Sequence, residues 1–103
     1  MRKFFRRIKA RVIYFNAVRL ADECYRQTGK QHFVIADTDG RLIVCDKKNF
    51  RTLKRKHYAP DITTFALLNV CIYHTPNGIG KAAMSESEKE ARKGRYIRLK
   101  CTL

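Results

Sequence analysis

Two short apolar runs on either side of a turn sequence are the clearest pattern in this chain. Phe33–Ala36 and Leu42–Cys45 flank Asp39 and Gly40. Asp-Gly between β-branched runs is a strong hairpin signal, because Gly adopts positive φ without a Cβ clash. The pattern therefore predicts a β-hairpin within residues 32–46. Apolar side chains occupy consecutive positions of both runs, so both faces of the hairpin need cover from other segments.

A long helix is predicted over residues 1–29, which contain no Pro and reach their first Gly at Gly29, a common residue just past a helix end. At about 100° per residue its apolar positions form two stripes on nearly opposite sides. The first stripe consists of Phe4, Phe5, Ile8, Val12 and Phe15, and the second of Ile13, Ala17, Leu20, Ala21 and Cys24. We expect the second stripe to pack on the hairpin, because a short connection makes neighbouring elements.

The first stripe is a candidate docking surface. If the second stripe fills the core, the first faces outward on a projecting basic amphipathic arm formed by residues 1–15. Its occupant could be a protein partner, a second copy of the chain or, less favoured, an anionic membrane surface. A helix that kinks near Asn16, so that both stripes reach one core, explains the pattern equally well.

A shorter helix is predicted directly after the hairpin, over residues 47–57. Asp46 is well suited to cap its first turn. Phe50, Leu53 and His57 share one side of this helix, and we expect that side to face the core. The opposite side is a continuous run of cations, the basic ridge, formed by Lys47, Lys48, Arg51, Lys54 and Arg55.

The segment 62–73 fits the spacing of a buried helix and also that of a strand. Its Thr and Val content favours a strand, whereas its length and its start after Pro60 favour a helix. We predict a helix here. A loop should follow over residues 74–84, because Pro76 and three further turn-forming residues interrupt any regular pattern.

The C-terminal part is predicted to hold one more helix and an edge strand. Ser85 and Glu88 form a capping box for a helix over residues 85–93, which Gly94 should end. Beyond it, apolar residues alternate with polar ones, as in a third strand beside the hairpin. The alternating apolar residues are Ile97, Leu99, Cys101 and Leu103. The predicted fold of residues 1–103 is therefore a single α+β domain with a long N-terminal helix, a central hairpin and two or three shorter covering helices.

The charge balance narrows the choice of partners. The chain has 23 Lys and Arg against 9 Asp and Glu, a formal net charge of +14. Such an excess favours a polyanion: nucleic acid, an anionic membrane or an acidic protein. Cations also occupy the first turns of the first two predicted helices, where they oppose the helix dipole. The helix over 85–93 begins with acids instead. The cations in the first turns of the other two helices are therefore not explained by the high Lys and Arg content of the chain alone.

These features predict a small non-enzymatic nucleic-acid-binding or accessory protein, with DNA or RNA as the partner. Phosphate contacts need only cations on one face and carry no sequence information. The predicted contact residues are the basic ridge, Lys47, Lys48, Arg51, Lys54 and Arg55, together with Arg2, Lys3, Arg6 and Arg7 of the first helix. The alternative is a protein-assembly or membrane-surface module that docks through the first stripe. In the membrane interpretation the basic ridge has no role.

No catalytic or metal-binding pattern is convincing. Cys71 and His74 have a spacing found in zinc sites, but a zinc site needs three or four ligands and no second such pair is present. The four cysteines are scattered among apolar neighbours, which is typical of reduced core thiols in a cytoplasmic protein. We therefore expect no cofactor and no enzymatic activity.

Overall fold

The fold is α+β, as the sequence predicts. The computed structural model describes residues 2–36, 41–55, 66–77 and 84–102. In chain order the elements are α1 (Arg2–Thr28), β1 (Phe33–Ala36), β2 (Leu42–Cys45), α2 (Lys47–Arg55), α3 (Leu67–Val70), β3 (Tyr73–His74) and α4 (Glu86–Thr102). The long N-terminal helix and the hairpin are both confirmed.

The three strands form one antiparallel sheet in the order β2-β1-β3. β1 and β2 pair from Phe33 opposite Cys45 to Ala36 opposite Leu42. On its other edge β1 pairs with β3, with Val34 opposite Tyr73. The predicted turn residues Asp39 and Gly40 lie outside the described residues. β1 is therefore the central strand, with a neighbouring strand on each of its edges.

Helices cover both faces of the sheet, as the consecutive apolar positions require. On one face, Phe33 and Ile35 pack with Phe50 of α2 and Leu67 of α3. The members of the cluster on the other face are Ala17 and Ala21 of α1, Val34 of β1, Tyr73 of β3 and Met84. α2 and α1 therefore lie on opposite faces of the sheet, and so do the cations that each helix carries.

Three of the predicted capping residues, Gly29, Asp46 and Ser85, cap helices as expected. Gly29 follows α1 with φ of 72° and donates its N–H to the Tyr25 carbonyl at 2.7 Å. Asp46 accepts the N–H of Asn49 at 2.7 Å and so caps α2. The Ser85 hydroxyl accepts the Glu88 N–H at 3.2 Å at the start of α4. The predicted α2 residues 56 and 57 lie outside the described residues.

The prediction for the end of the chain is wrong. α4 does not stop at Gly94 but continues to Thr102, so residues 97–102 are helical rather than a third strand. Packing explains the difference, since Tyr96 is 1% exposed and lies in a cluster with Ala10 and Tyr14 of α1. Burying an aromatic side chain outweighs the cost of about 1 kcal/mol for Gly inside a helix.

The third strand of the sheet comes from a different part of the chain. The helix predicted over 62–73 is confirmed only for Leu67–Val70, while residues 62–65 lie outside the described residues. Tyr73 and His74, predicted as helix end and loop start, form β3 instead. The sheet extends here because the Ile72 N–H donates to the Val34 carbonyl at 2.7 Å, and the Thr75 hydroxyl accepts the His32 N–H at 2.8 Å. The loop predicted over 74–84 is described only at 74–77 and 84.

Two glycine substitutions distinguish a continuous α4 from a helix that ends at Gly94. A Cβ at Gly94 would meet only the end of the Arg98 side chain, at 3.5 Å. Gly94→Ala should therefore stabilise the protein by about 0.5 to 1 kcal/mol through higher helix propensity. Gly29→Ala should destabilise it by about 1 kcal/mol, because Gly29 has a positive φ. Urea unfolding followed by circular dichroism measures both, and destabilisation by Gly94→Ala would contradict a helix through that position.

Candidate functional site

Burial of one side of α2 turns its basic ridge toward solvent. Phe50 is fully buried and Leu53 packs against the same core cluster. The ridge residues whose side chains are described, Lys47, Lys48, Arg51 and Arg55, are all exposed. The side chain of Lys54 lies outside the described residues. Among the described residues none of these four cations forms an ion pair with an acid, so they remain available to an external anion.

The fold adds one further cation to the ridge. The antiparallel register places the chain before β1 beside the chain after β2, at the same end of the sheet. An open recess of about 360 Å³ forms there. Its lining residues are Gly29, Lys30, Gln31, Asp46, Lys47, Lys48 and Asn77. Lys30 was not predicted as a site residue. The hairpin register could have identified Lys30, because extending the pairing past Phe33 and Cys45 places it beside the start of α2.

Among the described residues, Asp46 contributes the only carboxylate in the lining of this recess. Its Oδ1 accepts the Asn49 N–H, so the carboxylate is committed to capping α2. The described lining thus carries three lysines and one carboxylate that already accepts a hydrogen bond. Its net charge is positive, which favours an anion over a cation.

The predicted site residues on α1 are not brought to the ridge. Arg6 and Arg7 are exposed on α1, and α1 lies on the opposite face of the sheet from α2. The side chains of Arg2 and Lys3 lie outside the described residues. The two predicted groups of cations therefore belong to two separate surfaces rather than to one continuous interface.

A second basic region arises where α1 and α4 pack against each other. The Tyr14 and Tyr96 rings stack with centroids 6.5 Å apart. Nearer the start of α4, the Lys89 ammonium lies 5.9 Å from the centre of the Tyr73 ring, whose hydroxyl donates to Asp22 at 2.7 Å. The two helices are thus antiparallel, and the end of α4 lies beside the start of α1.

The acids of α4 are paired within the helix. Glu86, Glu88 and Glu90 form ion pairs with Lys89, Arg92 and Lys93, at 3.3, 2.6 and 4.0 Å. No acid follows Glu90, and none precedes Asp22 in α1. The cations of this acid-free end include Arg6, Arg7, Lys9 and Arg11 of α1 and Arg95, Arg98 and Lys100 of α4. Sequence reasoning missed this region because it assigned the end of the chain to a strand.

The first stripe of α1 faces solvent, as predicted. The exposed fractions of Phe5, Ile8, Val12 and Phe15 are 62, 44, 53 and 62%. The side chain of Phe4 lies outside the described residues. Since these side chains stay exposed, the alternative in which a kink brings both stripes to one core is wrong.

The second stripe is only partly correct as the core-facing side of α1. Ala17 and Ala21 are buried against the sheet, but Leu20 is 52% exposed. Ala10 and Tyr14 are buried instead, against Tyr96 of α4. The true core-facing side is therefore rotated away from Leu20, because α4 shares the contact with α1. In the part of the chain that the structure describes, no helix combines the length and the apolar character needed to cross a bilayer.

Cys71 and His74, whose spacing is found in zinc sites, are each hydrogen-bonded to other groups in the structure. The Cys71 carbonyl and Sγ both accept hydrogen bonds from Arg92, at 2.9 and 3.2 Å. His74 is engaged by the Thr75 carbonyl and Gln31. Within the described ranges no three His, Cys, Asp or Glu side chains come together as a metal site.

Burial also lowers the reactivity of the core thiols. Desolvation raises the pKa of Cys45 to about 12, and it raises the pKa of Cys71 to about 11 even though Arg92 acts in the opposite direction. Because the thiolate is the nucleophile, neither thiol suits nucleophilic catalysis near neutral pH.

Comparisons with protein-family models, curated proteins and solved structures find no match to this chain. Three surfaces of the described residues are therefore the candidates for function. They are the basic ridge with Lys30, the acid-free end of α1 and α4, and the exposed first stripe.

Alkylation at pH 8 tests the burial of the thiols. Cys24 is partly exposed and should react first, whereas Cys45 and Cys71 are buried and should be protected. Iodoacetamide labelling followed by peptide mass spectrometry measures each site, and the same reaction in urea gives the unprotected rate. Labelling of Cys45 at its rate in urea would contradict this assignment. The expected order follows from burial and thiolate fraction together.

Proposed function

We propose that this protein binds nucleic acid through the basic ridge and Lys30, by phosphate contacts that carry no sequence information. The observation that supports the proposal is the outward orientation of α2, whose buried Phe50 forces the ridge into solvent. Counterion release from the phosphate backbone would supply most of the affinity. The proposal is for a binding or accessory protein rather than an enzyme.

Unpaired cations favour an external anion on energetic grounds. Lys47 and Lys48 occupy the first turn of α2, which contains no acid. Each opposes the helix dipole at a cost of about 0.3 to 1 kcal/mol. A bound phosphate would remove this repulsion without breaking an existing ion pair. The cations that weaken the free helix are therefore those that gain most from a polyanion.

The polar side chains of α2 support non-specific contact. α2 has nine residues and is about 13 Å long, comparable with a major groove about 12 Å wide. Asn49 and Thr52 are the uncharged polar side chains of α2 that could read base edges, and the Thr52 hydroxyl donates to the Lys48 carbonyl at 3.3 Å. The ridge cations can contact guanine as well as phosphate, but the Asn49 amide adds little beyond them to specify a sequence.

The compartment is also part of this proposal. Cys24, Cys45 and Cys71 are free thiols in the described chain. Free thiols persist in reducing compartments, where disulfides are rare. We infer a cytoplasmic location on this basis.

Charge reversal on the ridge should remove most of the binding. The test variant is Lys47→Glu with Lys48→Glu and Arg51→Glu, and fluorescence anisotropy with duplex DNA and duplex RNA across a salt series is the measurement. Each lost phosphate contact should reduce the slope of log affinity against log salt by about 0.9. We expect a reduction of about 2 or more, with a loss of affinity of about tenfold or more at low salt.

The matched control has the same net charge. It combines Arg19→Glu with Arg95→Glu and Arg98→Glu, which are exposed positions on α1 and α4 rather than on α2. This control should retain most of the affinity and slope. Equal losses in both variants would show that net charge alone drives binding, and negligible binding by the unmodified protein at low salt would refute the proposal. Thermal unfolding of all three proteins verifies that the variants are folded.

A further inference from the structure

The exposed first stripe has no role in the proposed nucleic-acid contact. Phe5, Ile8, Val12 and Phe15 lie on one side of α1 over about 15 Å of its length. Soluble monomers rarely present several large apolar side chains contiguously unless the patch contacts something. The stripe also lies opposite the side of α1 that packs on the sheet and on α4. Val12 and Phe15 reach the border of α4, where they line a recess with Lys93.

Cations border the stripe on both sides. At about 100° per residue, Lys9 lies about 80° to one side of the centre of the stripe, and Arg11 lies about 80° to the other. Both side chains are exposed. Arg19 lies on the same face, one turn beyond Phe15. No acid occurs before Asp22, so the flanks that α1 itself provides carry only cations. On the side of α4, Glu90 pairs with Lys93.

We propose that the first stripe docks on an anionic lipid surface, with α1 parallel to the membrane plane. The apolar side chains would enter the boundary between headgroups and acyl chains, as in other interfacial amphipathic helices. Lys9 and Arg11 can extend their aliphatic stems along that boundary and place their charges at the lipid phosphates. A flat anionic surface offers phosphate groups to the cations on both sides of the stripe at the same time.

Charge argues against a second copy of this chain as the occupant. In a two-fold symmetric contact the same patch meets itself. Two facing stripes would bring Lys9 and Arg11 of each copy close to those of the other, with no acid nearby to pair with them. An acidic protein groove offers the same charge but must match a convex helix face, whereas lipid conforms to that face without a preformed groove.

The lipid contact does not compete with the basic ridge. α1 and α2 cover opposite faces of the sheet, and each presents its exposed side away from the sheet. A protein lying on a membrane through the first stripe therefore keeps the ridge on its far side, open to solution. This geometry gives the ridge a role even in a membrane-bound protein, contrary to our expectation from the sequence.

Vesicle flotation with the full chain tests the inference. The vesicles are an equimolar mixture of phosphatidylcholine and phosphatidylglycerol, with phosphatidylcholine alone for comparison. The unmodified protein should float with the anionic vesicles and not with the neutral ones. Phe5→Ser with Phe15→Ser should reduce the partition coefficient by about tenfold or more, because two large apolar side chains no longer leave water. Lys9→Glu with Arg11→Glu should reduce it as well.

Matched variants separate the stripe from general effects. Leu20→Ser with Val70→Ser removes two side chains of similar exposure, 52 and 48%, that lie outside the stripe, and it should leave flotation unchanged. Lys47→Glu with Lys48→Glu should also float normally while losing affinity for nucleic acid. The lipid and nucleic-acid proposals can thus fail separately. All these positions are exposed, so folding, checked by circular dichroism, should survive.

Three results would overturn the inference. The first is an absence of flotation with anionic vesicles. The second is flotation that the ridge variant abolishes and the stripe variant does not, which would assign lipid binding to the ridge. The third is a dimer in sedimentation equilibrium that dissociates in the stripe variant, with no lipid binding, which would assign the stripe to a second copy.

Discussion

The burial of β1 on both of its faces is the constraint on which the rest of the structure depends. Phe33, Val34 and Ile35 are at most 2% exposed, and alternate side chains of a strand point to opposite sides of the sheet. Two helical layers are therefore required, α2 with α3 on one side and α1 with α4 on the other. If helices covered only one face of the hairpin, α1 and α2 would lie on the same side of the sheet with their cations. Because both faces are covered, the cations of the two helices lie on opposite sides.

The second organising feature is the placement of the few acids. Each of the three α4 carboxylates is used by a cation three or four residues along the same helix, and Asp22 and Asp46 accept hydrogen bonds that hold β3 and α2 in place. Arg92 also makes several contacts at once. It pairs with Glu88 and donates to the carbonyls of Leu68 and Cys71, and these hydrogen bonds connect α4 to the end of α3. These five described acids thus serve the structure, while the cations of the ridge are exposed at the surface.

Local signals in the sequence predicted the local structure. They failed where contacts between residues distant in sequence determine how long a helix is or which residues become neighbours. The hairpin, the caps at Asp46 and Ser85 and the outward orientation of the ridge all depend on residues close in sequence. The glycine at position 94 suggests a helix end, because no local pattern reveals that Tyr96 stacks on Tyr14. Lys30 was missed as a neighbour of Lys48 for a similar reason, since only the strand register brings them together. The prediction for α1 is partly correct. Periodicity identified the exposed stripe, but the core-facing side is rotated relative to the predicted one because α4 also packs against α1.

The short outer strands of the sheet have a consequence for self-association. β2 and β3 form its edges and contain four and two residues. An edge strand exposes unpaired backbone N–H and C=O groups that can recruit a strand from another molecule. Edges this short offer few such groups, so strand addition gains little in the described sheet. The central strand is strongly apolar, and the short strands on either side of it limit edge-to-edge aggregation.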